Sequence, residues 1–432
     1  MRNLISIMLL LLSLMSYSQQ RFSTLQEVLD VAEKNSYTSL IAAQQQRLAQ
    51  LTTKSAYGNA LNPKIPTAAT ITDNAKLPVS FIPTEAFGGP AGSFRQITLG
   101  QRYIAVMNIS PQFDILNFGN LAKIKSAKIN EQLTNQNNLL TKKNLFDQVN
   151  ACYHNIVSFQ AQINILKLNK QKADSLFMIV SNKYNQGLVR KQDLNEAEVN
   201  TINFKDKIEQ ANLSLQQQYI TLQVLCETED SLVVNHTLIQ ETIDQQLKAF
   251  GDLNEKNALL QQSFAHAEYK AALWQNMPTL SFVTSFNYQN NSNSYFLDNK
   301  NPWINSNFWS LRLAWDFPTN INKLTTLKSN AINLNIAEIN AKHAQLQTKL
   351  QNEQMEQDYQ KSVSQFKNNQ LIYQLKLESY QKSKNQFDAN ILPLDKLLIA
   401  HNDLLISEIN VVTSLAAIAF YISKIEISNQ VK

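Results

Sequence analysis

The segment YNQGLVRKQDLNEA, from Tyr184 to Ala197, places one glycine within a very long helical pattern and then recurs later in the chain. Its counterpart, FDANILPLDKLLIA, begins 203 positions further on at Phe387. In this alignment Gly187 corresponds to Asn390. Because glycine and asparagine adopt a positive φ more easily than other residues, each segment is predicted to reverse the chain between two helices, as the tip of a helical hairpin.

The repeat continues far upstream of these turns with the same spacing. Five residues recur identically: Leu121, Lys125, Ser126, Ile129 and Asn130 become Leu324, Lys328, Ser329, Ile332 and Asn333. A constant spacing excludes insertions, which is typical of a continuous rod. We therefore predict an internal duplication, with residues 19–230 as the first repeat and residues 231–432 as the second.

Residues 1–18 have the pattern of an export signal. Arg2 supplies a positive charge, residues 4–15 are apolar, and small residues follow. The apolar run is too short to span a bilayer as a helix, and a buried N-terminal helix is the alternative interpretation. Since no later stretch is as long and as free of charge, no transmembrane helix is expected in the mature chain.

Composition favours long helices, because 432 residues include only 8 glycines and 10 prolines. The net charge of +5 is modest and forms no basic block, which argues against a nucleic-acid-binding surface. The two cysteines, Cys152 and Cys226, lie in helical patterns without a spacing motif. We expect them to be packed as apolar residues without a disulfide.

Each repeat contains one very long predicted helix. Apolar residues in the first copy alternate at spacings of four and three, the pattern of a coiled-coil seam: Leu145, Val149, Cys152, Ile156, Phe159, Ile163 and Leu166. The second copy keeps this spacing: Tyr359, Val363, Phe366, Gln370, Tyr373, Leu377 and Tyr380. A helix from about Leu121 to Gly187 would extend about 100 Å, which excludes an ordinary globular bundle.

Two regions near 66–113 and 279–317 alternate with the period of a β-strand. From Thr279 to Tyr288, Leu280, Phe282 and Phe286 share one face, and the serines share the other. About ten residues of this pattern match a strand that crosses a bilayer at a tilt. We predict four strands per chain, with Trp303, Trp309 and Trp315 at membrane interfaces. A soluble β-sandwich is the alternative. Four strands are too few to close a barrel, so subunits would have to pool them.

Taken together, the duplicated plan, the prolines Pro63 and Pro278 and the Gly-Leu-Val tip resemble the TolC family of outer membrane efflux proteins. The resemblance covers essentially the whole mature chain. It implies a mainly α-helical chain with a membrane β-sheet, assembled as a homotrimer with a twelve-stranded barrel in the outer membrane and an α-helical barrel in the periplasm. It also implies two partners, a periplasmic adaptor and an inner-membrane transporter, with no cofactor.

The resemblance further implies which residues act at the periplasmic end. The adaptor-docking tips would be Gly187, Leu188, Val189, Asn390, Ile391 and Leu392. The alternative for the tips is packing against neighbouring tips in a closed channel. Some relatives carry an aspartate ring beyond the second tip, but the corresponding positions here are Lys396 and Ile399. We therefore do not transfer the aspartate ring to this chain. The candidate residues for a periplasmic gate are Asp193, Asp395, Lys396 and Ile399, and capping of the return helix is the alternative role of Asp193.

The sequence contains no motif for catalysis, and its histidines show no metal-ligand spacing, so we do not expect an enzyme. The competing hypothesis is a secreted periplasmic coiled-coil tether or adaptor without a pore. Duplicated strand pairs with apolar faces favour the duct. The amide-rich helix faces indicate a water-filled tunnel, whose cargo would be selected by the transporter.

Overall fold

A computed structural model describes residues 20–235, 251–317 and 321–431. The predicted export signal lies outside these residues. Most of the described chain is helical: α1 Leu25–Asn35, α2 Tyr37–Leu61, α3 Phe118–Asn185, α4 Lys191–Cys226, α5 Leu253–Trp274, α6 Ile321–Asp388 and α7 Leu394–Gln430. The mainly α-helical class predicted from the sequence is confirmed.

The long helices reproduce the repeat spacing. Both α3 and α6 contain 68 residues, and α6 begins 203 positions after α3. The return helix α7 likewise begins 203 positions after α4. Every residue of the two predicted seams is buried or half-buried, as a coiled-coil seam requires. The chain is therefore duplicated in structure as well as in sequence.

Four clusters of buried apolar side chains hold the long helices together. The largest contains Val149, Cys152 and Ile156 of α3 together with Leu222 of α4 and Ile427 of α7. The other three clusters also contain residues of α7. Removing a side chain as large as Ile156 from such a core typically costs about 2–5 kcal/mol. The two cysteines are free thiols in the largest cluster, and no disulfide joins them.

One helix departs from the expectation that the mature chain has no membrane-spanning helix. By length and composition, α7 is apolar enough to cross a membrane. Three acidic residues, Asp395, Asp403 and Glu408, interrupt the first half of this helix. The contribution of α7 to all four apolar clusters gives a different reason for its composition, since a helix that packs on several neighbours needs apolar residues on several faces.

The strands form three sheets. Their bounds are β1 Gln20–Phe22, β2 Thr67–Asp73, β3 Val79–Pro83, β4 Phe94–Thr98, β5 Tyr103–Ile109, β6 Gln112–Leu116, β7 Leu232–Val234, β8 Thr279–Ser292 and β9 Ile304–Ala314. The main sheet has β8 at its centre, with β5 and β6 on one side and β9 on the other, and β2 pairs with β5. The hairpin β3–β4 extends the first strand pair, and β1 pairs with β7 in parallel.

The main sheet follows four strand paths, as predicted, namely β2, β5 with β6, β8 and β9, and the second of these is interrupted. Gly100 has a φ of +106° between β4 and β5, and Pro111, which has no N–H to donate, separates β5 from β6. The pairing with β8 resumes beyond Pro111, because Thr284 N–H donates to the Pro111 carbonyl at 2.9 Å. Thus β5 and β6 act as one bent strand along β8.

The chain divides into two compact units that do not coincide with the predicted repeats. One comprises Met1–Gln46, Thr134–Leu259 and Asn340–Lys432, and contains the hairpin tips. The other comprises Arg47–Leu133 and Leu260–Ile339, and contains the main sheet. Each unit draws residues from both halves of the chain. The boundary between repeats at residues 230 and 231 stays a prediction.

Candidate functional site

The first hairpin tip ends α3 with a left-handed residue. Gly187 has a φ of +72°, and its N–H donates to the Tyr184 carbonyl at 2.9 Å. The Leu188 N–H then donates back to the Lys183 carbonyl, also at 2.9 Å. These two bonds satisfy carbonyls that the helix end would otherwise leave unpaired, in the arrangement of a Schellman motif.

The second tip repeats this geometry with a different residue. Asn390 has a φ of +59°, and its N–H donates to the Phe387 carbonyl at 3.0 Å. The Ile391 N–H donates to the Gln386 carbonyl at 2.8 Å. The predicted equivalence of Gly187 and Asn390 as turn residues is therefore confirmed at the level of the backbone.

The two tips lie side by side. Lys183 of the first hairpin donates to the Asn390 side-chain oxygen at 2.8 Å, and its ammonium lies 4.7 Å from the centre of the Phe387 ring. Val189 and Leu392 pack against the apolar cluster beneath the tips. Of the six predicted docking residues, the large apolar ones that remain exposed are Leu188 at 68% and Ile391 at 75%.

The four predicted gate residues lie in two different environments. The Asp193 carboxylate accepts the Arg190 backbone N–H at 2.9 Å, which fits the alternative role of capping the return helix. Desolvation opposes ionisation there, but the hydrogen bonds from Arg190 hold the pKa of Asp193 below its ordinary value. Asp395, Lys396 and Ile399 lie exposed near the start of α7.

One face of the main sheet is polar and internally hydrogen-bonded. At the end of β8 nearest to β6, the Ser281 hydroxyl donates to the Asp114 carboxylate at 2.8 Å. Further along β8, the Asn108 amide donates to the Ser285 hydroxyl at 2.9 Å. Both serines are buried. Polar side chains on this face are thus covered and paired, the reverse of a sheet that packs on a soluble core.

The opposite face of the sheet is apolar and exposed. On β8 it carries Phe282, Phe286 and Tyr288, as the alternation predicts. Strand pairing places apolar residues of the neighbouring strands beside them: Met107 faces Tyr288, Ile109 faces Phe286, and Phe113 and Leu311 face Phe282. The aromatic and aliphatic side chains therefore form a continuous surface across several strands.

The three tryptophans are all exposed, at different heights of the sheet. Trp303 precedes β9, and Trp315 follows it, where its indole N–H donates to the Asn276 carbonyl at 3.0 Å. Trp309 lies in the middle of β9 opposite Thr284, not at a strand end as expected. Because β9 runs from Ile304 to Ala314, Trp309 is its sixth residue and lies away from both strand ends. The interfacial role of these residues stays a prediction.

A buried polar cluster inside the long helices was not predicted. The His401 Nε2 atom lies 3.0 Å from Asn169 Oδ1, and the Asn169 amide donates to Glu408 at 2.6 Å. The imidazole lies between the rings of Phe204 and Tyr380. Burial, with smaller effects from nearby lysines, lowers the pKa of His401 from 6.5 to about 4. In the sequence, the only indication of this cluster was that His401 lies seven residues after Leu394, on the apolar face of the same helix.

We expect His401 to make the helices less stable in acid. Between pH 6.5 and about 4 the unfolded chain binds a proton that folded His401 does not, so stability falls as the pH falls across this window. The pKa difference corresponds to roughly 3 kcal/mol. Denaturation midpoints at pH 7 and pH 5 should differ more for the native chain than for His401→Gln, which keeps a donor but does not titrate. Equal shifts would contradict this role.

The left-handed turn at Gly187 also predicts a mutational result. Gly187→Val should destabilise the tip by about 1–2 kcal/mol, because a branched side chain resists a φ of +72° although no atom crowds the position. Amide exchange at Leu188, whose N–H closes the turn, should accelerate about 5- to 30-fold. Gly187→Asn, which copies the second tip, is the matched control and should exchange nearly as slowly as the native chain. Equal exchange in all three would show that the turn is not required.

Comparisons with known proteins agree with this architecture. Residues 95–226 match the model of the family described as outer membrane efflux protein. No curated protein matches the chain in sequence. Among solved structures, the outer membrane protein VceC from Vibrio cholerae has 14% sequence identity and a TM-score of 0.75, with 93% of this chain and 94% of VceC covered.

Two further solved structures are outer membrane channels. The Neisseria gonorrhoeae MtrE channel in its open state has 13% identity and a TM-score of 0.67, covering 94% of this chain and 88% of MtrE. The Campylobacter jejuni CmeC channel has 16% identity and a TM-score of 0.64, covering 96% of this chain and 90% of CmeC. The predicted resemblance is thus confirmed: the chain shares the fold of these outer membrane channels, and its residues 95–226 match the outer membrane efflux protein family.

Proposed function

We propose that this protein is the exit duct of an efflux or type I secretion machine, located in the outer membrane and extending into the periplasm. Three copies would pool their strands into a twelve-stranded barrel, continued by an α-helical barrel. The observation that carries this proposal is the central strand β8, on which Phe282, Phe286 and Tyr288 are exposed while Ser281 and Ser285 on the other face are buried. An apolar outer face and a polar lumen are the signature of a transmembrane barrel.

The edges of the sheet support an assembly of several copies. In the described parts of the chain, β2 pairs only with β5, and β9 pairs only with β8. Each strand therefore presents a row of backbone N–H and C=O groups on its other side. In lipid such groups have no water to bond, so an open edge is not viable, and pairing β2 of one copy with β9 of the next would remove both edges.

The polar face would line the water-filled passage. Its side chains come from three strands, with the half-buried Asp114 on β6, Asn108 on β5 and Asn287 on β8. Hydroxyl and amide groups bind water about as well as they bind each other, so a lumen lined in this way would conduct polar cargo without holding it. Specificity and energy would then come from the inner-membrane transporter, and the duct itself would be passive.

The hairpin tips are the proposed docking points for the periplasmic adaptor. Leu188 and Ile391 expose large apolar side chains at neighbouring tips, and such residues favour a partner that covers them. In the closed channel they would instead pack against the tips of neighbouring copies. The exposed Asp395, Lys396 and Ile399 would then lie near the narrowest part of the passage and act as a gate.

A periplasmic tether fits these observations less well. A soluble protein would gain by covering the apolar surface that contains Phe282, Phe286 and Tyr288, which is exposed in this chain. In a water-soluble tether, a sheet with buried serines and an apolar exterior would expose apolar side chains to water without any compensating contact. Lipid contact accounts for both features of the sheet.

The two faces of β8 provide a direct test of membrane insertion. Phe286→Arg would place a guanidinium group against lipid, at a cost of about 2–4 kcal/mol near the bilayer centre, and should sharply reduce the folded protein recovered from outer membranes. Asn287→Arg is the matched control on the adjacent, opposite face and should be recovered nearly as well as the native chain. Equal recovery of the two variants would argue against a lipid-facing surface.

The assembly itself can be measured on the native protein. We expect a trimer by mass after extraction of outer membranes in detergent, and small, mostly closed channels after reconstitution into a planar bilayer. Closure is expected because the tips would hold the passage shut without an adaptor. Recovery as a monomer or dimer from the soluble periplasm would contradict the duct and favour the tether.

A further inference from the structure

The strands of the main sheet carry very few charged side chains. Strands β2, β5, β6, β8 and β9 contain three charged residues, Asp73, Asp114 and Arg312. The other polar side chains of these strands are uncharged. A charge on this sheet that has no ionic partner therefore dominates the electrostatic potential around it.

Both acidic residues of the sheet have a cationic partner. The Asp73 carboxylate accepts the Arg102 Nε–H at 2.9 Å, at the end of β2 farther from α2. The Asp114 carboxylate lies 3.5 Å from the Lys64 ammonium and also accepts the Ser281 hydroxyl. The side chain of Asp114 is only 9% exposed. The two negative charges of the sheet are thus compensated within the chain.

Arg312 of β9 has an exposed side chain and no ion pair among the residues that the structure describes. Its partner in register is Ser281, whose neighbour on the other side is Asp114. Because residues paired across antiparallel strands share a face, Arg312 lies on the polar face of the sheet. Lys64 already neutralises Asp114, and two strand spacings of about 4.8 Å separate the Asp114 backbone from that of Arg312.

The proposed ring of strands would leave Arg312 uncompensated as well. The strand beside β9 in that ring is β2 of the next copy, whose single charged residue is Asp73. Asp73 is in register with Tyr103, and Tyr103 with Ser292, which lies eleven residues after Ser281 along β8. At about 3.3 Å per residue, Asp73 and Arg312 therefore lie at opposite ends of the sheet.

We propose that the three Arg312 side chains of the assembled duct form a cationic ring in the lumen, and that this ring makes the passage favour anions over cations. The inference rests on the proposed function, because the ring exists only where three copies close a barrel. Cargo that carries carboxylate, sulfate or phosphate groups passes the ring more readily than cationic cargo of the same size. The duct thus adds a charge preference to the selection made by the transporter.

The surroundings of Arg312 strengthen this preference. The nearest residues that share its face on β9 are Ser310, Phe308 and Ser306, which are uncharged. The opposite face of the same strands is apolar, so the wall of the barrel has a low dielectric constant. Like charges along a narrow passage with such walls focus the field on the passage and raise the local concentration of counter-ions.

Reversal potentials test the ring in the full-length protein. Native channels extracted from outer membranes and reconstituted into a planar bilayer should prefer chloride across a potassium chloride gradient. Arg312→Gln should lower the chloride-to-potassium permeability ratio about threefold or more, because a potential of at least one kT changes the local concentration of a monovalent ion by about that factor. Arg312→Glu should lower the ratio further.

Arg95→Gln is the matched control for these measurements. Arg95 lies on β4, in the hairpin outside the main sheet, so its loss removes the same charge from the chain but none from the lumen. The permeability ratio of this variant should equal that of the native channel. A native ratio that Arg312→Gln leaves unchanged, or an equal change in Arg95→Gln, would overturn the inference.

A local chemical probe tests the charge independently of conductance. In outer membranes, Ser310→Cys should react faster with an anionic than with a cationic methanethiosulfonate, each rate taken relative to a free thiol. Adding Arg312→Gln should reduce this preference about threefold or more. Cys152 and Cys226 should contribute little, because burial raises the pKa of the first to about 12 and of the second to about 11. Leu311→Cys, on the apolar face, is the control and should react with neither reagent.

The outcomes separate this inference from the proposed function. A soluble monomer in which Leu311→Cys reacts as fast as Ser310→Cys would overturn both the duct and the ring. Trimeric channels in which Ser310→Cys reacts and Leu311→Cys does not, but in which Arg312→Gln changes neither measurement, would overturn the ring and leave the duct intact. A change in reagent preference without a change in permeability would overturn the role of the ring in the whole passage.

Discussion

Unpaired backbone groups at the edges of the main sheet constrain the whole molecule. A strand in lipid must hydrogen-bond on both sides, and within residues 20–235, 251–317 and 321–431 β2 and β9 do so on one side only. Any membrane-embedded form of this sheet therefore needs further strands from outside the chain. The proposed number of subunits and the proposed passage both depend on how that requirement is met.

A related constraint applies to the helices, whose apolar faces must be covered by neighbouring helices. In a closed ring each helix has neighbours on two sides, so a helix that contributes to the ring needs two apolar faces. The covered face of α2 uses small residues such as Ala49 and Ala60, which allow close approach to α3. Its outer face uses leucines, and α6 repeats the arrangement with isoleucines. Sheet edges and uncovered helix faces thus occur on connected elements, and one neighbouring copy could satisfy both.

The long helices have the same length in the two repeats, whereas the segments around the strands differ in length. Identical lengths of 68 residues for α3 and α6 place the two tips beside each other, where Lys183 reaches Asn390. The first strand pair carries the additional hairpin β3–β4, which the second pair lacks. Insertions are tolerated beyond the end of a sheet because they disturb no packed register, whereas one extra residue in a rod would rotate every following seam residue.

Much of the fold could be predicted because its signals are local and periodic. The four-three spacing identified the buried face of α3, the alternation on β8 identified its two faces, and the tolerance of Gly187 and Asn390 for positive φ identified the turns. The break at Pro111 and the early start of β9 were missed, since both depend on which strands pair. Because β9 begins at Ile304, Trp309 lies in the middle of this strand and not at its end.

The sequence by itself determined the duplication, the length of the rods, the turns at the tips and the apolar alternation of the strands, because each is encoded by residues close together in the chain. Only the tertiary structure decided which faces are covered. It placed His401 against Asn169, 232 positions away, and joined all four apolar clusters through α7. It also left Leu51 and Ile332 uncovered on helices beside the sheet edges. Coverage depends on contacts between distant segments, which no local periodicity specifies.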